Sequence, residues 1–194
     1  IYQWDKKNGL SIFLSPSGYT GIAPRGDKGS KNAMNRDESG SNGLTLDKNG
    51  RLIICMHGDR RVARLDDWVK KGFTTIAGKY KGKYFNSPND LVYAKNGDLY
   101  FTDPPYGLKK GDEDLLKELP FNGVFKITPS GELSLIISDL TRPNGVAISN
   151  DQKTLYVAIS DPKDRRIMAY DITPNGVENA RGFFDDDGLG KENR

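Results

Sequence analysis

The chain has 194 residues, which is enough for one domain with a substantial core and too few for two comfortable ones. Its 29 Lys and Arg against 26 Asp and Glu leave a net charge of +3, and no basic run exceeds two residues, so nucleic acid is a poor candidate partner. One Cys and one His exclude an intramolecular disulfide and a zinc-type ligand set. No stretch approaches the length of apolar sequence that spans a membrane.

The composition favours many short strands and turns over long helices, because Gly is abundant at 22 residues and Pro reaches 10. The chain begins at Ile1, inside the strand-like segment IYQWD, and has no initiator Met. We therefore expect the natural N-terminus to lie upstream. The sequence predicts a soluble protein and leaves its compartment open between cytoplasm and periplasm.

Three segments of the chain repeat one pattern. They begin at Ser41, Ser87 and Arg142, and each places an Asn at the head of an alternating apolar run, followed by a polar turn and a second apolar run. The repeated residues are Asn42, Asn89 and Asn144, which are 47 and 55 positions apart. A repeat of this length made of short strands is typical of a propeller blade.

Each repeat is predicted to contain four strands, at 43–48, 51–56, 61–65 and 73–77, at 90–95, 98–102, 123–127 and 132–137, and at 145–149, 154–159, 166–171 and 177–184. The first residues match only the outer two strands of such a repeat. The sequence therefore predicts one all-β propeller domain with about three and a half blades in this chain. Its parts are a half-blade and connecting loop over 1–40, blades over 41–86 and 87–141, and a blade with a connecting loop over 142–194.

One other fold is compatible with part of this pattern, and two local features need separate mention. A β-sandwich would also show evenly spaced short strands, although it would not be expected to repeat an Asn at the head of every fourth strand. Residues 108–119 are highly charged, and the alternatives for them are a short helical turn or a charged loop, of which we prefer a solvated insertion between strands. Cys55 lies in the apolar run LIICM, where we expect a small core residue.

The predicted hairpins place the chemistry on one face. In a blade, the first strand runs along the central channel, a tight turn reverses it, and the second strand returns to the starting face. The KNG turns at 48–50 and 95–97 provide this reversal. The repeated Asn residues should therefore share a face with the segments that follow the second strands, which are 57–60, 103–106 and 160–161.

Two interpretations of the repeated Asn residues stay open. Asn-Gly is a strong hairpin signal, so the pairs that begin at Asn42 and Asn144 are consistent with turns alone. Each repeat, however, already has its own turn further along, and the middle repeat keeps Asn89 while its neighbour is Asp90. Amide oxygens that converge on a channel are hard neutral donors of the kind that Ca²⁺ accepts, whereas Mg²⁺ demands a tighter octahedron and Zn²⁺ favours His and Cys. Other divalent cations such as Zn²⁺, Mg²⁺ or Mn²⁺ stay open as occupants. Two neutral amides need carboxylates beside them to hold a dication.

The segments NSPNDLVYAKNGDLYFTDPPYGL at 86–108 and LTRPNGVAISNDQKTLYVAISD at 140–161 resemble the family of senescence marker protein, gluconolactonases and luciferin-regenerating enzyme. The segment at 41–66 is similar to its bacterial gluconolactonase branch. The resemblance extends over essentially the whole chain. It implies a six-bladed propeller in the parent protein, with one divalent cation, usually calcium, in the central channel.

The resemblance also implies a ligand set of Glu, Asn, Asn and Asp from four blades. Asn89 matches the first Asn and Asn144 the second. The family's Glu precedes the position of Ile1, and its Asp, which is thought to act as the base, follows the position of Arg194. The catalytic residue is therefore expected outside this sequence, and the remaining blades of the same protein are expected partners of this chain.

Four residues on the same face are candidates for substrate binding: Asn42, His57, Asp103 and Tyr106. His57 has the alternative of a structural hydrogen bond at a strand end, and the last two have the alternative of a Pro-Pro-Tyr-Gly turn braced by the Asp. Asp90 is next to a predicted ligand. Because neighbouring strand residues point in opposite directions, we expect it to support the blade.

The implied activity is hydrolysis of a sugar lactone, with the cation polarising the carbonyl while a carboxylate activates water. No GxSxG motif supports catalysis by Ser, and His57 would be the only available imidazole base. An organophosphate or other ester hydrolase on the same metal site is one alternative. A non-catalytic propeller that binds a sugar or a protein is another, and metal content distinguishes it.

Overall fold

The structure, a computed structural model, describes residues 1–24 and 40–185. A two-stranded hairpin of β1 (Tyr2–Asp5) and β2 (Gly9–Ile12) is followed by three four-stranded antiparallel sheets. Blade 1 contains β3 (Ser41–Leu46), β4 (Leu52–Met56), β5 (Arg61–Asp67) and β6 (Gly72–Ala77), and a short hairpin of β7 (Lys79–Tyr80) and β8 (Lys83–Tyr84) follows it. Blade 2 contains β9 (Leu91–Tyr93), β10 (Leu99–Asp103), β11 (Gly123–Ile127) and β12 (Leu133–Ile137), and blade 3 contains β13 (Pro143–Ile148), β14 (Thr154–Ile159), β15 (Arg166–Thr173) and β16 (Gly176–Asp185).

In every blade the strands pair in chain order, so each blade is a simple meander. The inner strand β9 contacts both β3 and β13, the inner strands of the blades on either side. This arrangement confirms the propeller and the assignment of the repeated segments to its inner strands. The loops predicted within 25–39 and 186–194 lie outside the described residues.

Tight turns join the first two strands of blades 1 and 2, as the KNG segments predict. Gly50 and Gly97 have φ of 74° and 93°, a conformation that favours Gly because it has no Cβ. Their N–H groups donate to the carbonyl oxygens of Asp47 and Ala94 at 2.9 Å in both turns. These turns therefore fix the register between first and second strands at the end opposite the repeated Asn residues.

The second strands of blades 1 and 2 are buried on both faces, which explains the apolar runs LIICM and LYF, whereas β14 of blade 3 alternates buried and half-buried residues. In β4, Ile53 and Cys55 pack toward blade 2, while Ile54 and Met56 pack toward the first hairpin. Cys55 is fully buried in this core, as predicted. The same division holds in β10, where Phe101 contacts blade 1 and its neighbour Tyr100 packs toward blade 3. Face-to-face packing of the blades is therefore the main source of hydrophobic stabilisation.

The segment 108–119 is an insertion between β10 and β11 with a short helical turn, as the stated alternatives allow, but its two ends are buried. Leu108 and Leu119 are only 2% and 3% exposed, and short 3-10 turns occupy Pro105–Gly107 and Gly111–Glu113. The apolar residues at its two ends anchor the segment on the blade, while most of the charged residues between them remain exposed. Because charged residues dominate the segment, its sequence does not indicate that Leu108 and Leu119 are buried.

No helix in the described ranges combines the length and the apolar character needed to cross a membrane.

Candidate functional site

The first strands of blades 1 and 3 are irregular at the repeated Asn residues. In β3 the pairing with β4 shifts between Ser41 and Leu44, and in β13 the pairing with β14 shifts between Pro143 and Val146. Each shift spans the Asn-Gly pair of that repeat. Such β-bulges change the direction of a side chain and are frequent beside binding sites.

Blade 2 has the same irregularity at Asn89. The Asn89 N–H donates to the carbonyl oxygen of Thr102 at 2.8 Å, and the Thr102 N–H donates to the carbonyl oxygen of Asp90 at 3.0 Å. Asn89 and Asp90, the two residues just before β9, thus lie opposite one residue of the second strand. The interpretation of the Asn-Gly pairs as hairpin turns is therefore wrong, since all three blades place their repeated Asn at a bulge on the inner strand.

Asn89 is 5% exposed, and its side-chain amide has no hydrogen-bond partner among the residues that the structure describes. Its backbone oxygen accepts a hydrogen bond from the N–H of Gly43 at 2.6 Å, which connects blades 1 and 2. This approach requires Gly at position 43, because a Cβ there would lie 2.7 Å from the Cα of Asp90. The neighbouring Asn42 is exposed at the bulge of β3.

Asn144 is half-buried, and both its backbone and its side chain are held. Its carbonyl oxygen accepts a hydrogen bond from Thr102 Oγ1 of blade 2 at 2.5 Å. Its Nδ2 donates to Ser160 Oγ, at the end of the second strand of its own blade, at 3.1 Å. The Oδ1 atom has no protein partner in the described part of the chain.

Tyr106 lies beside Asn144. Its hydroxyl is 2.7 Å from Ser160 Oγ, and the guanidinium of Arg142 lies 5.7 Å from the centre of its ring. The residue is half-buried. Tyr106 and Asn144 therefore share one hydrogen-bonding partner on the predicted face.

His57 is buried, with 8% of its surface exposed. Its Nδ1 is 3.2 Å from the carbonyl oxygen of Pro88, so the ring is anchored to the backbone just before the predicted ligand. A Cβ at Gly107 would lie 2.8 Å from His57 Cδ2, which shows how closely the Pro-Pro-Tyr-Gly turn covers the ring. This geometry favours the structural alternative for His57.

Asp103 is fully buried, and its two carboxylate oxygens accept hydrogen bonds from the backbone N–H groups of Asn86 and Ser87, both at 2.7 Å. Burial raises the pKa of Asp103 to about 7, against the opposing effect of these hydrogen bonds and of the Arg60 and Lys117 cations. The carboxylate braces the segment that leads to Asn89. This geometry favours a structural role for Asp103, but the role differs from the predicted one, because the carboxylate holds the backbone of Asn86 and Ser87 while Ser87 Oγ bonds the Pro-Pro-Tyr-Gly turn.

Oxygen donors of the kind that Ca²⁺ prefers are present in this arrangement. The uncommitted Oδ1 atoms of Asn89 and Asn144 are hard and neutral, and both belong to adjacent inner strands. In the described ranges, no three His, Cys, Asp or Glu side chains group as a metal site. The two amides fit part of a calcium site, and carboxylates must complete it.

Sequence reasoning placed Ser160 on the correct face but gave it no role, and it gave none to Thr102. Both are hydroxyl residues at the site-facing end of a second strand. Their importance lies in contacts with Asn144 over 16 and 42 positions of sequence. A single-sequence pattern carries no signal for such contacts.

Residues 4–190 match the family model described as the SMP-30/Gluconolactonase/LRE-like region. A gluconolactonase from Zymomonas mobilis is 41% identical over 179 residues, which cover 92% of this chain and 48% of that protein. Lactonohydrolase oryL from Aspergillus oryzae is 30% identical over 122 residues, or 52% of this chain and 28% of that protein. This chain therefore spans about half or less of the length of these relatives.

Solved structures agree with this relationship. A gluconolactonase from Xanthomonas campestris superposes with a TM-score of 0.71 at 28% identity, over 94% of this chain and 54% of its own. A luciferin-regenerating enzyme superposes with a TM-score of 0.58 at 20% identity, over 78% of this chain and 49% of its own, and shows the likeness of fold alone. With the family model covering almost the whole sequence, the chain belongs to the SMP-30/gluconolactonase/LRE-like family.

Proposed function

We propose that the protein containing this chain is a calcium-dependent hydrolase that opens a sugar lactone. The observation that carries the proposal is the pair of Asn89 and Asn144, each at a bulge on adjacent inner strands and each with an uncommitted amide oxygen. The gluconolactonase relatives support the lactone as substrate class.

In the proposed site, Asn89 and Asn144 hold the cation through their Oδ1 atoms. A bound Ca²⁺ supplies Lewis acidity toward a carbonyl oxygen. His57 and Asp103 keep the backbone around Asn89 in place, and the exposed Asn42 is positioned at the rim to hydrogen-bond sugar hydroxyls. The carboxylate ligands and the base that activates water come, in this proposal, from parts of the protein outside these 194 residues.

The remaining blades are the proposed partner of the exposed apolar hairpin at the start of the chain. Tyr2, Trp4, Leu10 and Ile12 are 65–70% exposed there, and contiguous exposed apolar side chains mark interaction surfaces. If the remaining blades cover this hairpin, the isolated chain will bind more of an apolar fluorescent dye than the full-length protein. Equal dye binding by both would contradict the proposed partner.

The function is tested by hydrolysis of glucono-1,5-lactone in a pH-stat, with full-length protein in calcium and after chelation. We expect chelation to abolish hydrolysis, and Asn89→Ala or Asn144→Ala to reduce kcat/KM by about 100-fold or more. Asn49→Ala, on the opposite face, is the matched control and should retain activity.

Undiminished activity after chelation would remove the metal from the mechanism. Hydrolysis of a phosphotriester without hydrolysis of the lactone would favour the organophosphatase alternative. Calcium binding without hydrolysis of either substrate would instead favour a non-catalytic propeller.

A further inference from the structure

We infer that Ser160 and Tyr106 are positioning residues that hold the Asn144 amide with its nitrogen turned toward Ser160 and its oxygen left for a ligand. This inference rests on the proposed metal site and deepens it. It assigns a role to Ser160 and gives Tyr106 a role other than substrate binding.

The hydrogen bonds around Ser160 Oγ set the orientation of the amide. Among the described residues, three groups surround this oxygen: Asn144 Nδ2 at 3.1 Å, the Tyr106 hydroxyl at 2.7 Å and the carbonyl oxygen of Arg142 at 3.4 Å. A Ser hydroxyl has one proton to donate, and the carbonyl of Arg142 can only accept one. Either hydroxyl is able to donate in the Tyr106–Ser160 bond, but all three contacts are satisfied together only when Ser160 Oγ donates to the Arg142 carbonyl oxygen and accepts from Tyr106 and Asn144.

This arrangement leaves Ser160 without a proton for the Asn144 amide. If the amide were reversed, its Oδ1 would face the lone pairs of Ser160 Oγ, and a hydrogen bond would be lost. The reversed amide would also present N–H groups to a cation. The hydroxyl pair therefore selects the one amide orientation that is compatible with an oxygen ligand.

Tyr106 also has contacts that do not involve the Ser160 side chain. Its ring lies against the Arg142 guanidinium, with 5.7 Å between the guanidinium carbon and the ring centre, and its hydroxyl is also 3.5 Å from the Ser160 carbonyl oxygen. The preceding Pro-Pro segment restricts the backbone that carries it. Tyr106 thus donates from a fixed position.

The backbone of Asn144 is fixed from the other side by Thr102. The Thr102 hydroxyl donates to the Asn144 carbonyl oxygen at 2.5 Å and accepts from the Asp90 N–H at 3.2 Å. Asn89, by contrast, has no side-chain partner among the described residues. Of the two proposed ligands, only Asn144 is oriented before a ligand arrives, and preorganisation of this kind raises affinity.

The test is calcium affinity measured by isothermal titration calorimetry on the full-length protein. We expect Ser160→Ala to weaken calcium binding by about 10-fold to 100-fold and Tyr106→Phe by a smaller factor. Ser160→Thr keeps the hydroxyl and should restore most of the affinity. Ser149→Ala, which removes a hydroxyl from a turn on the opposite face, is the matched control and should bind calcium normally.

A second readout reports the amide directly. The Asn144 side-chain amide resonances of calcium-free protein should shift in Tyr106→Phe and remain near their original position in Ser149→Ala. The inference is overturned if Ser160→Ala and Tyr106→Phe both bind calcium like the original protein while Asn144→Ala does not bind. If Asn144→Ala also binds calcium normally, the proposed function itself fails.

Discussion

Asp90 Oδ2 accepts a hydrogen bond from the backbone N–H of Val146 at 2.9 Å, across the boundary between blades 2 and 3. Asp90 follows Asn89 directly in the chain, but the two side chains have different contacts. The Asp side chain joins two inner strands, while the Asn amide has no partner in the described part of the chain. The prediction that Asp90 supports the blade is confirmed.

Replacing Asp90 should therefore weaken the junction between the blades. We expect Asp90→Ala to lower the free energy of unfolding by about 1–3 kcal/mol, because the Val146 N–H loses its acceptor in a largely buried position. Urea unfolding and the hydrogen-exchange rate of the Val146 amide measure this effect. Asp98→Ala, in the exposed turn of blade 2, should change stability by no more than about 0.5 kcal/mol. Equal effects of the two substitutions would contradict the interblade role.

Gly43 and Gly145 occupy equivalent positions in the repeat but differ in their surroundings. A Cβ at Gly43 would lie 2.7 Å from the backbone of Asp90, whereas a Cβ at Gly145 would lie 3.6 Å from its nearest neighbour, the Ala158 side chain. We expect Gly43→Ala to destabilise the protein by about 1–3 kcal/mol and Gly145→Ala to be nearly neutral. Thermal unfolding of the two variants measures this difference in stability. A tolerated Gly43→Ala would show that blades 1 and 2 can separate at little cost.

Asp103 should make stability depend on pH. Its pKa of about 7 in the folded protein lies above the ordinary value of 3.8, so the folded state holds this proton more tightly than the unfolded chain. Its contribution to stability is complete below pH 4 and falls as the pH rises toward 7, by up to about 1.4 kcal/mol per pH unit. Urea unfolding at pH 4.5 and pH 7.5 measures it.

The matched variant is Asp103→Asn, which cannot ionise. It should be destabilised at both pH values, because an amide cannot accept both backbone hydrogen bonds that Asp103 accepts. Its stability relative to the original protein should, however, be higher at pH 7.5 than at pH 4.5. A difference that does not change with pH would show that the buried carboxyl is ionised throughout.

Arg60 joins blade 1 to the packed segment 108–119. Its Nε donates to the Phe85 carbonyl oxygen at 2.6 Å, and one terminal nitrogen donates to the Leu116 carbonyl oxygen at 2.9 Å. We expect Arg60→Met to destabilise the protein by about 2–4 kcal/mol and to expose this segment to limited proteolysis, because both carbonyls lose their donor. Arg64→Met, at a partly exposed ion pair with Asp66, is the control and should leave proteolysis unchanged.

The repeat predicted the three blades because each hairpin is set locally. Alternating apolar residues and a Gly-containing turn determine strand direction and register without reference to the rest of the chain. The short hairpin of β7 and β8 was not predicted, because strands of two residues are too short to show an alternation of apolar and polar residues. For residues 108–119 the insertion between strands was predicted, but the burial of Leu108 and Leu119 was not, because charged residues outnumber them in the segment.

The sequence by itself determined that an Asn stands at the head of each inner strand, and this followed from the spacing of the repeat. Only the tertiary structure decided what each Asn is able to do. Asn42 is exposed, Asn89 is buried without a side-chain partner in the described residues, and Asn144 is held by hydroxyl groups from two blades. Those partners lie far apart in the chain, and they meet because packing of one blade against the next brings the ends of their strands together.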